Sequence, residues 1–331
     1  MNIAEIAKLA GVSKSAVSRY FNNGYISEEK RKVIHKVVEE TGYRPSIQAQ
    51  TLRTKKTKLI GVIIPKISSE SIGKVVEGIL SVLNQHGYQI LLADTQNNPK
   101  KELEYLETFK SRQVDGIIIL GTVYTNEHKK ILKKVKVPIV IIGQNWPEYH
   151  CVFHDDYNAS YNLTQLFIDK GKKNLGFVGV STQDKSVGKQ RYEGFVNAVS
   201  DANLQTLKNQ YVVSEFNMDS GYEKVQELLE INPNLDGIIC ATDSIAIGAI
   251  SYLKEKGIKI PETMFIAGFG GSRLSSVPTP TLTTVRFDYE ESGRIAATVM
   301  MEIQEKNKKM RQSIMLGYEI IENQSTANVT T

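Results

Sequence analysis

From Leu59 to Gly270, short apolar runs alternate with segments of helical period, and the alternation is played through twice. The first series of runs is LIGVIIP (59–65), YQILLAD (88–94), VDGIIILGT (114–122) and VPIVIIGQ (137–144), separated by helical segments at 70–86, 100–112 and 126–135. After residue 157 the theme restarts, with helical segments at 158–171, 187–202, 219–230 and 243–256 between runs at 174–180, 211–215, 235–242 and 264–270. Unbroken apolar strands joined by helices predict parallel sheets covered on both faces. DGIII (115–119) and DGIIC (236–240) hold equivalent places in the two halves, so the architecture reads as a duplicated α/β lobe. Two such lobes offer a ligand cleft outside the carboxyl ends of their strands. A chain of 331 residues has room for both and for one small further module.

That module is the N-terminal stretch EIAKLAGVSKSAVSRYFNN (5–23). Ile6, Leu9 and Ala10 share a helical face; Gly11 suits a left-handed turn, and Ser13 suits a helix N-cap. In the second helix Val17 points inward and Lys14, Ser15, Ser18 and Arg19 stay polar. Ala7, Gly11 and Val17 have the spacing of a helix-turn-helix: a small residue where the helices touch, a turn glycine, an apolar anchor. A third helix is predicted from a Ser27 cap through Thr41, with Glu28 and Glu29 in its first turn, Val33, Val37 and Val38 as its buried stripe, and Gly42 at its end. Pro45 then stops helix, Ser46 can cap a short one over 47–52, and a basic stretch runs to Lys58. So short a helix is marginal alone in water.

Charge separates the module from the lobes. Residues 1–58 carry 12 Lys and Arg against 5 Asp and Glu, whereas the whole chain carries 41 against 36, a net charge of +5. The basic excess thus lies in the first sixth of the chain, as a phosphate-backbone partner requires. The module has no basic amphipathic helix with a bulky aromatic face, and no stretch reaches the roughly 20 apolar residues that cross a bilayer, so no membrane partner is expected. No signal peptide is read, and the two cysteines, Cys151 and Cys240, lie in apolar runs; both point to buried thiols in a reducing cytoplasm. HCVFHD (150–155) reads as a strand edge, not a metal cluster, and no catalytic constellation surrounds the five histidines. Neither a cofactor nor an enzymatic activity is expected. GFGGS (268–272) lacks the spacing of a dinucleotide fingerprint.

Taken in order, IAEIAKLAGVSKSAVSRYFNN, ISEEKRKVIHKVVEETGYRP, AQTLRT, IGVIIP, VDGIIILG, RYEGF, ATDSIAIGAISYL, IPETMFIAGF and PTLTTV resemble the LacI/GalR family of bacterial repressors over nearly the full length. Within it the chain is most similar to the sucrose-operon repressor branch. The resemblance implies a DNA-binding domain at 1–45, a hinge helix and linker at 46–58, and an effector-binding and dimerisation domain at 59–331. The latter would have an N-lobe of about 59–157 and 288–315 and a C-lobe of about 158–287 and 316–331, with three crossings near 157, 287 and 315. It implies a recognition helix in the major groove, with Lys14, Ser15 and Arg19 at base edges and Ser13, Ser18 and Asn22 at phosphates. Ala49 and Leu52 would lie at the minor groove, Leu52 as the wedge.

For the effector, the resemblance implies Arg191 and Asp243 as partners of sugar hydroxyls and Phe216 and Phe287 as apolar faces. Asp243 is also expected to cap the helix that follows it. Where many members carry an aspartate, this chain has Gly270, followed by Gly271 and Ser272, a change expected to remove an acceptor and leave space. Lys185 and Lys189 could greet a phosphate, and Asp94 or Gln144 could supply acceptors instead. The implied function is a sequence-specific repressor of a carbohydrate-utilisation operon, binding a palindromic operator as a homodimer and modulated by a sugar or sugar phosphate. The polar tail ENQSTANVTT has no heptads, which argues for a dimer and against a tetramer. Two other readings stay open: a global catabolite regulator using a phosphocarrier protein as corepressor, and a non-regulatory sugar-binding protein, which the basic module disfavours.

Overall fold

The computed structural model describes residues 1–22, 24–43, 56–111, 114–205, 210–306 and 310–327. The hinge helix expected at 47–52, with Ala49 and Leu52, lies outside them. The chain divides into two compact units, Met1–Lys58 and Leu59–Thr331.

The first unit holds three helices, α1 (Ile3–Leu9), α2 (Lys14–Phe21) and α3 (Glu28–Thr41). Asn2 caps α1 reciprocally with Glu5, and Ser13 Oγ accepts from Ala16 N at 3.2 Å to cap α2. Gly11 (φ 62°) makes the turn between them in the left-handed region. The core is Ile6, Ala7, Ala10, Ala16, Val17 and Ile34, ringed by Val12, Tyr20, Phe21, Val37, Val38 and Tyr43. Two side chains expected inward are not there: Leu9 is 59% exposed and Val33 42%. The inward stripe of α1 is Ile6, Ala7 and Ala10, and that of α3 is centred on Ile34 between Val37 and Val38. Leu9 and Val33 each lie roughly a quarter-turn off those stripes. Ser27 occupies the N-cap of α3 with no side-chain cap bond.

In the second unit, β1 (Leu59–Ile64), β2 (Gln89–Asp94), β3 (Gly116–Leu120), β4 (Ile139–Ile142) and β5 (His150–His154) alternate with α4 (Glu70–Leu83), α5 (Pro99–Ser111) and α6 (Asn126–Leu132). Then α7 (Asp156–Asp169), β6 (Leu175–Gly179), α8 (Arg191–Asp201), β7 (Tyr211–Val213), α9 (Met218–Ile231), β8 (Gly237–Cys240), α10 (Asp243–Glu255), β9 (Phe265–Phe269) and β10 (Thr283–Phe287) follow. The chain ends with α11 (Tyr289–Lys306), β11 (Ser313–Leu316) and β12 (Tyr318–Ile321). One six-stranded sheet has the order β11-β5-β4-β3-β1-β2 and the other β12-β10-β9-β8-β6-β7. All pairings are parallel except β12 against β10. The chain therefore passes between sheets after β5, after β10 and between β11 and β12, so neither lobe is contiguous.

Helix α11 returns to the first lobe and packs on α4 backbone to backbone. A Cβ on Gly78 would stand 2.0 Å from the Glu290 carbonyl oxygen, and one on Gly293 2.0 Å from that of Val75, so only glycine permits the approach. Both cysteines are free and buried, and burial pushes the Cys151 thiol up to about 11.

Candidate functional site

On α2 the polar residues Lys14, Ser15, Ser18, Arg19 and Asn22 recur at one-turn spacing and share a face, while Ala16 and Val17 are buried on the other. Lys14, Ser15 and Arg19 are exposed, as are Ser13 and Asn22, and Ser18 is half-buried. Gly24 lies against the stem of Arg19: its amide donates to Arg19 O at 2.8 Å, and a Cβ there would meet Arg19 Cβ at 3.2 Å. The guanidinium is thus carried on a supported base with its donors turned to solvent. Asn22 Nδ2 donates back to Ser18 O, and Ser13 Oγ and Ser15 Oγ are 2.9 Å apart. Exposed donors along one face of a short helix suit acceptors on a duplex.

The second candidate is a cleft of about 330 Å³ between the carboxyl ends of the two sheets, lined from both lobes. Arg191 is its most constrained member. A π-helical turn, Lys185–Gln190, delivers it to the start of α8, where it is 3% exposed. Its Nε and Nη2 both reach Asp156 Oδ1 at 2.7 Å, and Nη1 donates to Ala241 O at 2.6 Å. Its guanidinium carbon stands 4.6 Å from the centroid of Phe269 and 5.1 Å from that of Phe287. The partner of Arg191 is thus the buried Asp156, in the first turn of α7, where the helix dipole favours a carboxylate.

Asp243 follows the true cap of α10, Thr242, whose Oγ1 accepts from Ile245 N at 3.3 Å; the expectation that Asp243 caps that helix is corrected. Its carboxylate is engaged elsewhere: Oδ1 accepts from Thr284 Oγ1 at 2.6 Å and Oδ2 from Ser272 N and Oγ, both at 2.9 Å. Burial raises its pKa, and those donors pull against the rise. Gly270 (φ 144°) makes this possible, since a Cβ there would stand 3.1 Å from Asp243 Oδ2. The space expected at Gly270 is therefore taken up by the turn closing on Asp243, although Gly270 itself lines the cleft.

Phe216 also lines the cleft, whereas Phe287 does not. Phe287 is buried behind the wall, under Arg191 and against His154 at 4.8 Å, so its role as an exposed apolar face is corrected to a support. Lys185 and Lys189 are exposed and off the cleft, Lys189 beside Glu193 at 3.6 Å. Asp94 is also off it; Gln144 is on it.

Three cleft residues went unassigned in the sequence or were weighed only as alternatives. Gln144, after β4, donates through Nε2 to Asp184 Oδ1 at 2.8 Å, a buried bond from the first lobe to the second. Asp184 Oδ1 also accepts from Ser186 N at 3.1 Å and Val187 N at 3.0 Å, and burial lifts its pKa to about 6. His154, the last residue of β5, is 6% exposed; it bonds the Asp288 backbone, and its Nε2 has no hydrogen-bond partner. Burial lowers its pKa, so the ring that helps to line the cleft is held neutral. Across the other side, Glu70 of α4 accepts from Arg273 N at 3.0 Å, a second link between lobes. The grouping is one of hydrogen-bond donors and acceptors around a cleft, and among the described residues no cluster could hold a metal ion. Nor is any described helix long and apolar enough to cross a membrane.

Known proteins share both parts. Residues 2–46 match the family of bacterial regulatory proteins of the lacI type, and residues 57–322 match the periplasmic binding proteins and sugar-binding domains of the LacI family. The sucrose operon repressor of Staphylococcus xylosus is 36% identical over 89% of this chain and 91% of its own length. Catabolite control protein A of Priestia megaterium is 31% identical over 98% of this chain and 99% of its own. The crystal structure of a LacI-family transcriptional regulator from Silicibacter pomeroyi superposes with a TM-score of 0.82 at 26% identity, over 99% of this chain and 100% of that one. The chain belongs to the LacI family: it is a DNA-binding transcriptional repressor with a sugar-binding domain, and not an enzyme.

Proposed function

We propose that the chain represses a carbohydrate-utilisation operon in the bacterial cytoplasm, binding a palindromic operator as a homodimer and responding to an uncharged sugar. The support for an uncharged ligand is the charge of the cleft. Its deep cation, Arg191, is already held by Asp156 and Lys74 stands 3.1 Å from Glu70, which leaves Lys66 among the lining residues, while Lys185 and Lys189 are off the cleft. Asp184 and Asp243 add acid, which repels a phosphate. Polar side chains such as Gln144, Asp184 and Asp243 line the cleft together with half-buried Phe216, a lining that suits hydroxyls on a ring with an apolar face. The kinship with a sucrose operon repressor favours sucrose or a fructose-containing sugar.

In this reading Lys14, Ser15 and Arg19 contact base edges, Ser13, Ser18 and Asn22 contact phosphates, Ala49 and Leu52 act at the minor groove, and Arg191, Asp243, Phe216 and the Gly270 turn form the effector site, with Phe287 behind it. Calorimetry with sucrose, fructose, sucrose-6-phosphate and glucose-6-phosphate tests it, alongside Phe216→Ala, which removes no polar partner. A neutral sugar should bind, and Phe216→Ala should bind it at least about tenfold more weakly. Tighter binding of a sugar phosphate overturns the uncharged-ligand reading. If no sugar binds and a phosphorylated carrier protein strengthens operator binding instead, the corepressor reading takes its place.

A further inference from the structure

Three exposed lysines cluster in one connection at the amino-terminal end of the first lobe's sheet. Strands β1, β3 and β4 run parallel with Ile60 opposite Gly116 and Ile117 opposite Ile139. Leu59, Asp115 and Val137 therefore stand in one row across the sheet, and Lys136 precedes Val137 as Lys58 precedes Leu59. With strands about 4.8 Å apart, the α6–β4 connection lies roughly 10 Å from the point where the chain arrives from the N-terminal module. Lys133, Lys134 and Lys136 of that connection are all exposed, and none forms an ion pair among the described residues. Arg311, before β11, lies at the same end of the sheet. Around these four the described connections at that end hold two carboxylates, Asp115 and Glu148, while the nearby helix-end acids Glu107 and Glu305 already face Lys110 and His86. At the opposite end, the connections 65–69, 95–98 and 121–125 contain Lys66 and no other charged side chain. A lysine at a helix C-terminus complements the dipole, which accounts for Lys133 and not for Lys134 or Lys136.

We propose that this end of the first lobe, centred on Lys133, Lys134 and Lys136, is an auxiliary phosphate-binding surface that engages duplex backbone flanking the site held by the N-terminal module. It rests on the DNA-binding function of that module. The linker enters the lobe beside these lysines, so a duplex held by the module is tethered to them at high effective concentration. Sequence-neutral lysine–phosphate contacts there add affinity and salt dependence without adding base recognition.

The test uses the full chain and an operator selected by it from a randomised duplex library, embedded in a duplex of about two helical turns and in one of about six. The wild type should bind the longer duplex more tightly and with a steeper dependence on salt, by about 0.9 in the log–log slope for each added phosphate contact. Lys133→Gln/Lys134→Gln/Lys136→Gln should erase that difference and leave binding to the short duplex unchanged. Lys100→Gln/Lys101→Gln, at the start of α5 on the other end of the lobe, should behave as wild type. Equal slopes on both lengths for wild type and triple variant overturn the proposal. So does a triple variant that keeps all DNA binding and loses an acidic protein partner, which would assign the surface to that partner. If selection enriches no duplex at all, the DNA-binding reading itself falls.

Discussion

The two units place their polar residues in opposite environments. On α2, Lys14, Ser15 and Arg19 project into solvent from a helix whose other face is core, and each could be exchanged without leaving a buried partner stranded. In the cleft, Arg191, Asp156, Asp184 and Asp243 are buried, and each answers to groups on another segment: Ala241, Gln144, Thr284 and Ser272. Recognition in the first unit is therefore a property of single side chains, and in the second a property of a network. Substitutions should separate the two: in the module, function without stability; in the cleft, both together.

The largest effect should come from Arg191→Met. It removes both donors to Asp156 Oδ1 and leaves that carboxylate buried without its charge partner, a loss of about 3–5 kcal/mol in similar cases. Urea unfolding should report it, and Asp156→Asn in the same chain should recover part of it by removing the stranded charge. A fully stable Arg191→Met would break the contrast. Next in size is Arg19→Ala. One good base contact is worth about 1–3 kcal/mol, so specific operator binding should fall at least tenfold in gel shifts, while weak, salt-sensitive binding and the unfolding midpoint stay put. Unchanged operator affinity would remove Arg19 from base recognition.

The same contrast explains what could be read from the chain alone. The helix-turn-helix was legible because its determinants are local: Gly11, the Ser13 cap and Val17 lie within a few residues of one another. The duplicated β-α pattern gave the sheets for the same reason. Leu9 and Val33 were misplaced because counting threes and fours does not say which edge of a stripe meets the neighbouring helix. In the cleft, Arg191 and Asp243 could be named by resemblance, yet their partners could not. Asp156, Thr284 and Ser272 come from segments far apart in sequence, brought together by a sheet order that no periodicity reveals. Phe287 carries a ring in the expected place but on the wrong side of the wall, a difference set by packing depth. His154 carried only a weak signal, a polar residue closing the apolar strand CVF just before two aspartates.

The network should also titrate. The Asp184 carboxyl is raised from its ordinary value to about 6 by burial, so the folded chain holds a proton there that the unfolded chain has released. Its contribution to stability is full below about pH 4 and lost as pH rises through about 6, with a total on the order of 3 kcal/mol at most. Asp243, raised in the same direction, acts with the same sign. Asp184→Asn should flatten the fall between pH 4 and 6 in urea midpoints. Arg19→Ala, measured beside it, should leave that fall unchanged.

The smallest effects belong to the two misplaced apolar residues, and they sharpen the comparison within the module itself. Ile34 is fully buried at the junction of three helices, whereas its neighbour Val33 is largely exposed. Ile34→Ala removes buried methyl groups and leaves a cavity, a change that costs about 2–5 kcal/mol. Val33→Ala and Leu9→Ala remove atoms that water already touches, and the better helix propensity of alanine over valine offsets part of what contact remains, so each should lie within about 0.5 kcal/mol of wild type. Thermal unfolding of the three variants measures the difference directly. A loss at Val33 or Leu9 comparable to that at Ile34 would mean that those side chains are covered in solution, and the polar face of the module would then be narrower than the structure draws it.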